Sequence, residues 1–312
     1  MINLNKNFFA PHRKNYIPAV RFFSKRVSSS QILPKLSRFI NKNLYSLGIG
    51  SYLNRYDNSF TLYSSRADKK LYSVFNNKDL FINLGSGSFF HNRWKNYDFP
   101  GQSKYYKSLQ GVNGRDFHSI DLGNSMLTIP EQDDSVSLIY CSHTLEHLHY
   151  ESSTRLLREC YRILKPGGVL RVALPYTKNN FYLYRCLANQ FSDLNIIKKN
   201  YLREVTSLIL ADTRNLTIEE VEELFDIAQG DSARFFNIVM EKHNSFVKFK
   251  ASNPERHINY WDFEKLISMI VKNGFTSCIP LHQCASVASP FSNINVFDNT
   301  NSQSSFYADI IK

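Results

Sequence analysis

A chain of 312 residues can bury a sizeable core, and 43% hydrophobic with 21% charged residues is ordinary for a globular protein. No uninterrupted apolar run reaches the length of a membrane span, and Phe8-Phe9-Ala10 is too short for the core of a secretory signal. The five cysteines (141, 160, 186, 278 and 284) are scattered, odd in number and free of any C-x-x-C, which argues against a disulfide framework and for a reduced, intracellular chain.

The net charge of +11 is unevenly placed. Residues 1–75 carry thirteen Lys/Arg against Asp57 and Asp68, so the remainder is neutral. Within "IPAVRFFSKRVSSSQILPKLSRFINKNLYSLGIGSYL" apolar and aromatic residues alternate with basic ones, and no acid precedes Asp57. Four readings fit this basic N-terminal arm. It is an ordinary extension packed on the domain, a contact for an anionic membrane surface, a nucleic-acid contact, or a mitochondrial presequence. A cytoplasmic chain, peripheral at a membrane, is the expected location, with the mitochondrion as the alternative.

"KDLFINLGSGS" follows. Leu80-Phe81-Ile82 is a short apolar run ended by Gly85 and Gly87, as expected of a buried parallel strand whose exit approaches a ligand closely. The third glycine of a G-x-G-x-x-G dinucleotide fingerprint is replaced by Phe90, which disfavours NAD. Asp98 stands 13 residues after Gly85, where an acid can end a second strand and hold ribose hydroxyls.

Val136, Leu138, Ile139 and Tyr140 predict another strand, ending at Cys141-Ser142. "HTLEHL" then leads towards a helix over "YESSTRLLRECYRILKPGG", with Leu156, Leu157, Cys160, Tyr161, Ile163 and Leu164 on one face. Lys165-Pro166-Gly167-Gly168 reads as the helix stop, and "VLRVALP" as the next strand. Strand, helix, strand in this order predicts a parallel sheet with right-handed crossovers.

His143-Thr-Leu-Glu146-His147 matches the H-x-x-E-H pattern of helical zinc proteases. That chemistry needs both histidines on one helical face, and His143 directly follows a strand. No metal is therefore expected, and Glu146 and His147 are expected to fix the helix start.

Taken in order, "INLGSGS", "RWKNYDF", "DL", "SVSLIYCSHTLEHL", "LLRECYRILKPGGVLRVALP" and "HINYWDFEKLISMIVKNGF" resemble class I S-adenosylmethionine-dependent methyltransferases. The likeness is greatest to a bacterial branch associated with surface-polysaccharide and glycan biosynthesis, and it covers about residues 75–176 and 257–312. It implies an α/β fold: a doubly wound, Rossmann-like, mostly parallel sheet with an antiparallel last strand, "SSFYADIIK". It implies S-adenosylmethionine as cofactor, with Asn83 at the loop's opening and Gly85, Ser86 and Gly87 against the methionine part. Asp98 would hold the ribose, Asp121-Leu122 would meet the adenine, and Ser142 would line the pocket. His143 and His257 are the candidate catalytic bases. Asn83, Ser88 and Tyr176 depart from the common pattern of the family.

The expected division is a basic arm at 1–75, a Rossmann-like domain at 76–180 and 257–312, and a helical insertion at 181–256. The insertion would cover the acceptor site or serve as a dimerisation surface. Its signals are a capping box, Thr217 to Glu220, and a second helical stretch, "DSARFFNIVMEKHNSFVKF". Tyr176, Tyr182 and Tyr184 would stack on a sugar or belong to the core. The expected activity is methyl transfer to a small-molecule or glycan acceptor, such as a sugar hydroxyl. The alternatives are a catalytically inactive binding protein of the same fold and an RNA methyltransferase. The neutral body, and the absence of an Asn-Pro-Pro-Tyr signature, argue against nucleic acid.

Overall fold

In the computed structural model the described residues are 19–23, 39, 43, 47, 51–56, 59–87, 89, 91–100, 117–190, 218–242, 257–302 and 304–312. Most of the basic arm, the capping residue Thr217 and the stretch after Lys242 lie outside them.

Three strands, β1 (Ala19–Phe23), β2 (Ser51–Tyr56) and β3 (Ser59–Ser64), form an antiparallel sheet in the order β1-β3-β2. Helix α1 (Ser65–Leu71) follows at once, its first turn capped by the Ser64 hydroxyl accepting from the Ala67 N–H at 3.3 Å. The packed body thus begins about ten residues before the expected boundary at 75. Asp68 of α1 is fully buried, 2.8 Å from His91 Nε2, and accepts from Asn293 Nδ2 at 2.5 Å. Charge counting hid this, because Asp68 was scored only as a rare acid in a basic segment.

The main sheet comprises β4 (Leu80–Leu84), β5 (Trp94–Asp98), β6 (Phe117–Ser119), β7 (Val136–Ser142), β8 (Leu164–Pro175), β9 (Ser277–Leu281) and β10 (Ser305–Ile311). Their order is β6-β5-β4-β7-β8-β10-β9. The first five are parallel, and β10 runs antiparallel between β8 and β9. The chain winds outwards in both directions from the β4/β7 pair, so the crevice beyond the carboxyl ends of these two strands is where such a sheet takes a ligand.

Residue alternation divides the core into two layers. Ile82, Leu84, Ile139, Cys141, Leu170 and Val172 pack with α2 (Tyr150–Ile163) and α6 (Phe263–Lys272). Phe81, Leu138, Tyr140 and Val169 share the opposite layer with Leu71, Tyr72, Trp94, Phe291 and Phe297. Both faces are covered, which is why β7 reads as a nearly continuous apolar run.

Helix α2 stops at Ile163, just before the breakers Lys165-Pro166-Gly167-Gly168, but Leu164 leaves the helical face on which it was expected: it opens β8 opposite Val136, and the breakers lie within that strand. Gly167 takes φ +77° and donates to Lys312 O at 2.9 Å, so an irregularity in the strand absorbs the breakers. Tyr176 packs edge-on against Phe263 and Phe306, which favours the core alternative for this residue.

Helices α3 (Thr177–Gln190), α4 (Ile218–Ala228) and α5 (Ser232–Lys242) form a separate group. Phe181, Leu224, Ala228, Phe235, Phe236 and Val239 share a core with Ile258 and Tyr260, which tie the group to the main domain.

Candidate active site

The loop after β4 carries the backbone torsions its glycines allow. Gly85 has φ +67° and Gly87 φ +51°, both in the left-handed region. Gly85 donates to Tyr97 O at 2.9 Å. A Cβ at Gly85 would stand 2.0 Å from Thr144 Oγ1, so no larger residue fits against the β7 exit. That threonine hydroxyl lies 3.2 Å from Leu84 O and 3.1 Å from Ser142 O, spanning the ends of β4 and β7.

Asp98 ends β5 directly beside this loop and is buried. Its Oδ2 accepts from the Gly87 N–H and its Oδ1 from the Phe99 N–H, both at 2.7 Å. Asp121 stands exposed just past β6 and accepts from the Gly123 N–H at 2.9 Å, while Leu122 is buried. Asn83 is buried one residue before the loop, and its amide faces Asn96 Oδ1 at 3.4 Å, so it braces β4 against β5. The buried hydroxyls of Ser86 and Ser142 have no hydrogen-bond partner among the described residues. Orphaned polar atoms at two neighbouring strand exits fit a polar ligand lying across them.

His143 follows β7 with φ +49°, a strained value for a residue with a side chain. Its N–H donates to Ala173 O at 2.9 Å. Both ring nitrogens are engaged: Nδ1 lies 3.0 Å from Glu146 Oε1, and Nε2 lies 2.9 Å from Ser305 Oγ. Leu145–His147 form a single 3-10 turn. The helical H-x-x-E-H arrangement is therefore not formed.

The second candidate base, His257, arrives from 110 residues downstream. Ile258 and Asn259 donate their N–H groups to Glu146 O at 2.8 and 3.1 Å, clamping the following segment onto the turn. His257 Nε2 lies 4.0 Å from Glu146 Oε1, and its ring meets His147 edge-on at 4.8 Å. Glu146 is fully buried. Burial alone would raise its carboxyl, but the contact with His143 and the charges of His147 and His257 hold it down at about 2. Despite these neighbours, neither carboxylate oxygen has an aligned hydrogen-bond donor among the described residues.

The structure brings the expected residues His143, His257, the Gly85–Gly87 loop and Asp98 to the ends of β4, β5 and β7. Sequence reasoning missed Thr144, Ser305 and the convergence on Glu146. A surface cleft lined by Lys178, Tyr182, Asp231 and Glu264 lies on the helical side, and its lining includes no strand-end residue.

Residues 104–172 match a family model described as a methyltransferase domain. No curated protein matches the chain. Among solved structures, the chain is similar to a SAM-dependent methyltransferase from Thermotoga maritima, at 13% identity over 89% of this chain and 98% of that one, with a TM-score of 0.36. It is also similar to one from Archaeoglobus fulgidus, at 11% identity, 80% and 94% coverage and a TM-score of 0.38. A third, from Mesorhizobium loti, is 13% identical over 78% and 96%, with a TM-score of 0.36. Likeness at this level assigns no residue a role. The domain match supports reading residues 104–172 as part of a methyltransferase domain.

Proposed function

We propose that this protein methylates a hydroxyl group of a small acceptor, in the manner of the glycan-associated branch that its sequence resembles. The observation that carries this reading is the Glu146–His143–Ser305 chain at the β7 exit, beside Ser142. A hydroxyl is a weak nucleophile and gains from a nearby base, whereas the alignment of the two reactants supplies the rest. S-adenosylmethionine supplies an electrophilic methyl group when bound. Gly85, Ser86 and Gly87 would receive its methionine part and Asp98 its ribose hydroxyls. Asp121 and Leu122 would border the adenine. Glu146 orients the His143 ring, and His143 Nε2 can accept a proton where Ser305 Oγ now stands.

The helices α3–α5 share their core with Ile258 and Tyr260, in the segment that docks on Glu146. In this reading they cover the acceptor, and the basic segment before residue 76 holds the enzyme at an anionic membrane surface. Incubation with methyl-labelled cofactor and a panel of sugars, nucleosides and amines tests it. Label in an ether of a sugar is expected. Label only in an amine or in RNA overturns the hydroxyl assignment.

A further inference from the structure

We propose that Glu146, His147 and His257 form a binding site for a divalent transition-metal cation of the zinc class. One ligand atom from each lies within 4.8 Å of the other two. Donors around a tetrahedral zinc at about 2.0–2.1 Å stand roughly 3.4 Å apart, so the group has to close by at most ~1.4 Å. Rotation of two imidazole rings covers that distance.

The second observation is the state of the carboxylate. Glu146 is buried, both of its oxygens lack an aligned donor among the described residues, and histidines surround it. A buried carboxylate in that condition is costly unless something positive takes its lone pairs. The backbone prepares the site from both sides. His147 closes the 3-10 turn by donating to Thr144 O at 3.1 Å, and the Ile258 and Asn259 N–H groups fix the segment after His257. Asn259 Nδ2 adds a bond to Leu148 O at 3.2 Å.

Two imidazoles and one carboxylate form a donor set for zinc, manganese or cobalt, and a poor one for calcium, which prefers all-oxygen cages. His143 Nδ1, 3.0 Å from Glu146 Oε1, borders the site as a further nitrogen. His147 and His257 are only partly buried, so one side stays open for an exchangeable ligand. The H-x-x-E-H stretch is thus reused with Glu146 as a ligand instead of a base, and with His257 replacing a helical neighbour. This assignment stands on the donor geometry and does not depend on methyl transfer.

The test uses the full chain, stripped with chelator and titrated with zinc chloride by calorimetry. Cobalt chloride serves as a second probe, read by its visible absorption. One zinc per chain is expected, together with cobalt bands of tetrahedral intensity. Glu146→Gln and His257→Ala are each expected to weaken zinc at least tenfold. His149→Ala, an exposed histidine two residues beyond the cluster, is expected to leave it unchanged. Circular dichroism identifies any variant that fails to fold, and the partly buried His257 keeps the test usable if Glu146→Gln does. Absence of stoichiometric zinc or cobalt binding by the folded wild type overturns the proposal. So does binding that survives both ligand variants.

Discussion

Arg171 on β8 and Glu146 just past β7 are both buried charges, and their surroundings differ. Arg171 Nη2 donates to Asp298 Oδ2 at 2.6 Å and to His282 O at 2.9 Å. Its Nη1 donates to Asp309 Oδ1 at 3.1 Å and to Ala285 O at 2.8 Å. Tyr140, Cys284, Ser286 and Val287 complete the two carboxylates, so all four of their oxygens have partners. Burial opposes the guanidinium charge, and Asp298 and Asp309 more than reverse it, raising its pKa above the usual value. Glu146 has three histidines nearby and no aligned donor among the described residues. The Arg171 network, in which only the guanidinium Nε lacks a partner among the described residues, binds the fold together, whereas a carboxylate with neither oxygen met by an aligned donor is suited to bind something else.

The largest expected effect follows from the Arg171 network. Arg171→Met leaves two buried carboxylates facing each other without their cation, and such losses cost about 3–5 kcal/mol. Urea unfolding monitored by tryptophan fluorescence should show it as a lower midpoint at unchanged slope. A loss under about 1 kcal/mol would mean that the network contributes little, and the contrast with Glu146 would disappear.

Asp98 lies between the two extremes, holding two backbone N–H groups at the carboxyl end of β5. Charge-assisted bonds of the kind it can give ribose hydroxyls contribute about 1.5–3 kcal/mol. Asp98→Ala should therefore weaken S-adenosylmethionine and S-adenosylhomocysteine alike, by roughly ten- to a hundredfold in calorimetric titration. Unchanged affinity would show that Asp98 only braces the loop. NADH should bind to neither form, since Phe90 stands at the third glycine position of that fingerprint.

How much of this was legible in the sequence depended on range. The strands β4, β7 and β8 announced themselves as apolar runs, and Gly85 and Gly87 as a tight strand exit, because those signals are local. The Arg171–Asp309 pair was invisible: "SSFYADIIK" reads as alternating, while its strand is buried on both sides and faces Arg171 in register. Likewise the pairing of Lys312 with Gly167 and Gly168 turned an apparent helix stop into strand. His143 and His147 were weighed together because they are four residues apart. Glu146 does meet His143, but the ring beside His147 is His257, which only tertiary docking brings there.

A smaller effect separates the two clusters from the other side. In metal-free protein, Glu146→Gln removes a charge that His143, His147 and His257 hold ionised, so stability at neutral pH should fall, though by less than in Arg171→Met. Thermal unfolding of the chelated protein measures this. A loss approaching that of Arg171→Met would show that Glu146 is a structural anchor of the same kind, and the comparison would fail.

The smallest effect concerns a third buried carboxylate, Glu159 of α2. Its Oε2 accepts from the Ile129 N–H at 2.9 Å and from Arg162 Nη2 at 2.8 Å. Burial would raise its pKa, but Arg162 and the Ile129 N–H outweigh that and lower it below the ordinary 4.5. A carboxyl depressed on folding contributes stability that is fully present above its unfolded pKa and is lost as pH falls through its folded one. The stability gap between wild type and Glu159→Gln should therefore stay constant from pH 7 to about 5 and narrow below about 4.5. Arg162 is partly exposed and its attraction is screened, so the gap should also shrink in high salt. A gap that holds its size down to pH 3 would mean that Glu159 acts through shape and its backbone bond, with its charge playing no part. In that case the Arg171 network alone would represent the structural use of buried charge in this sheet.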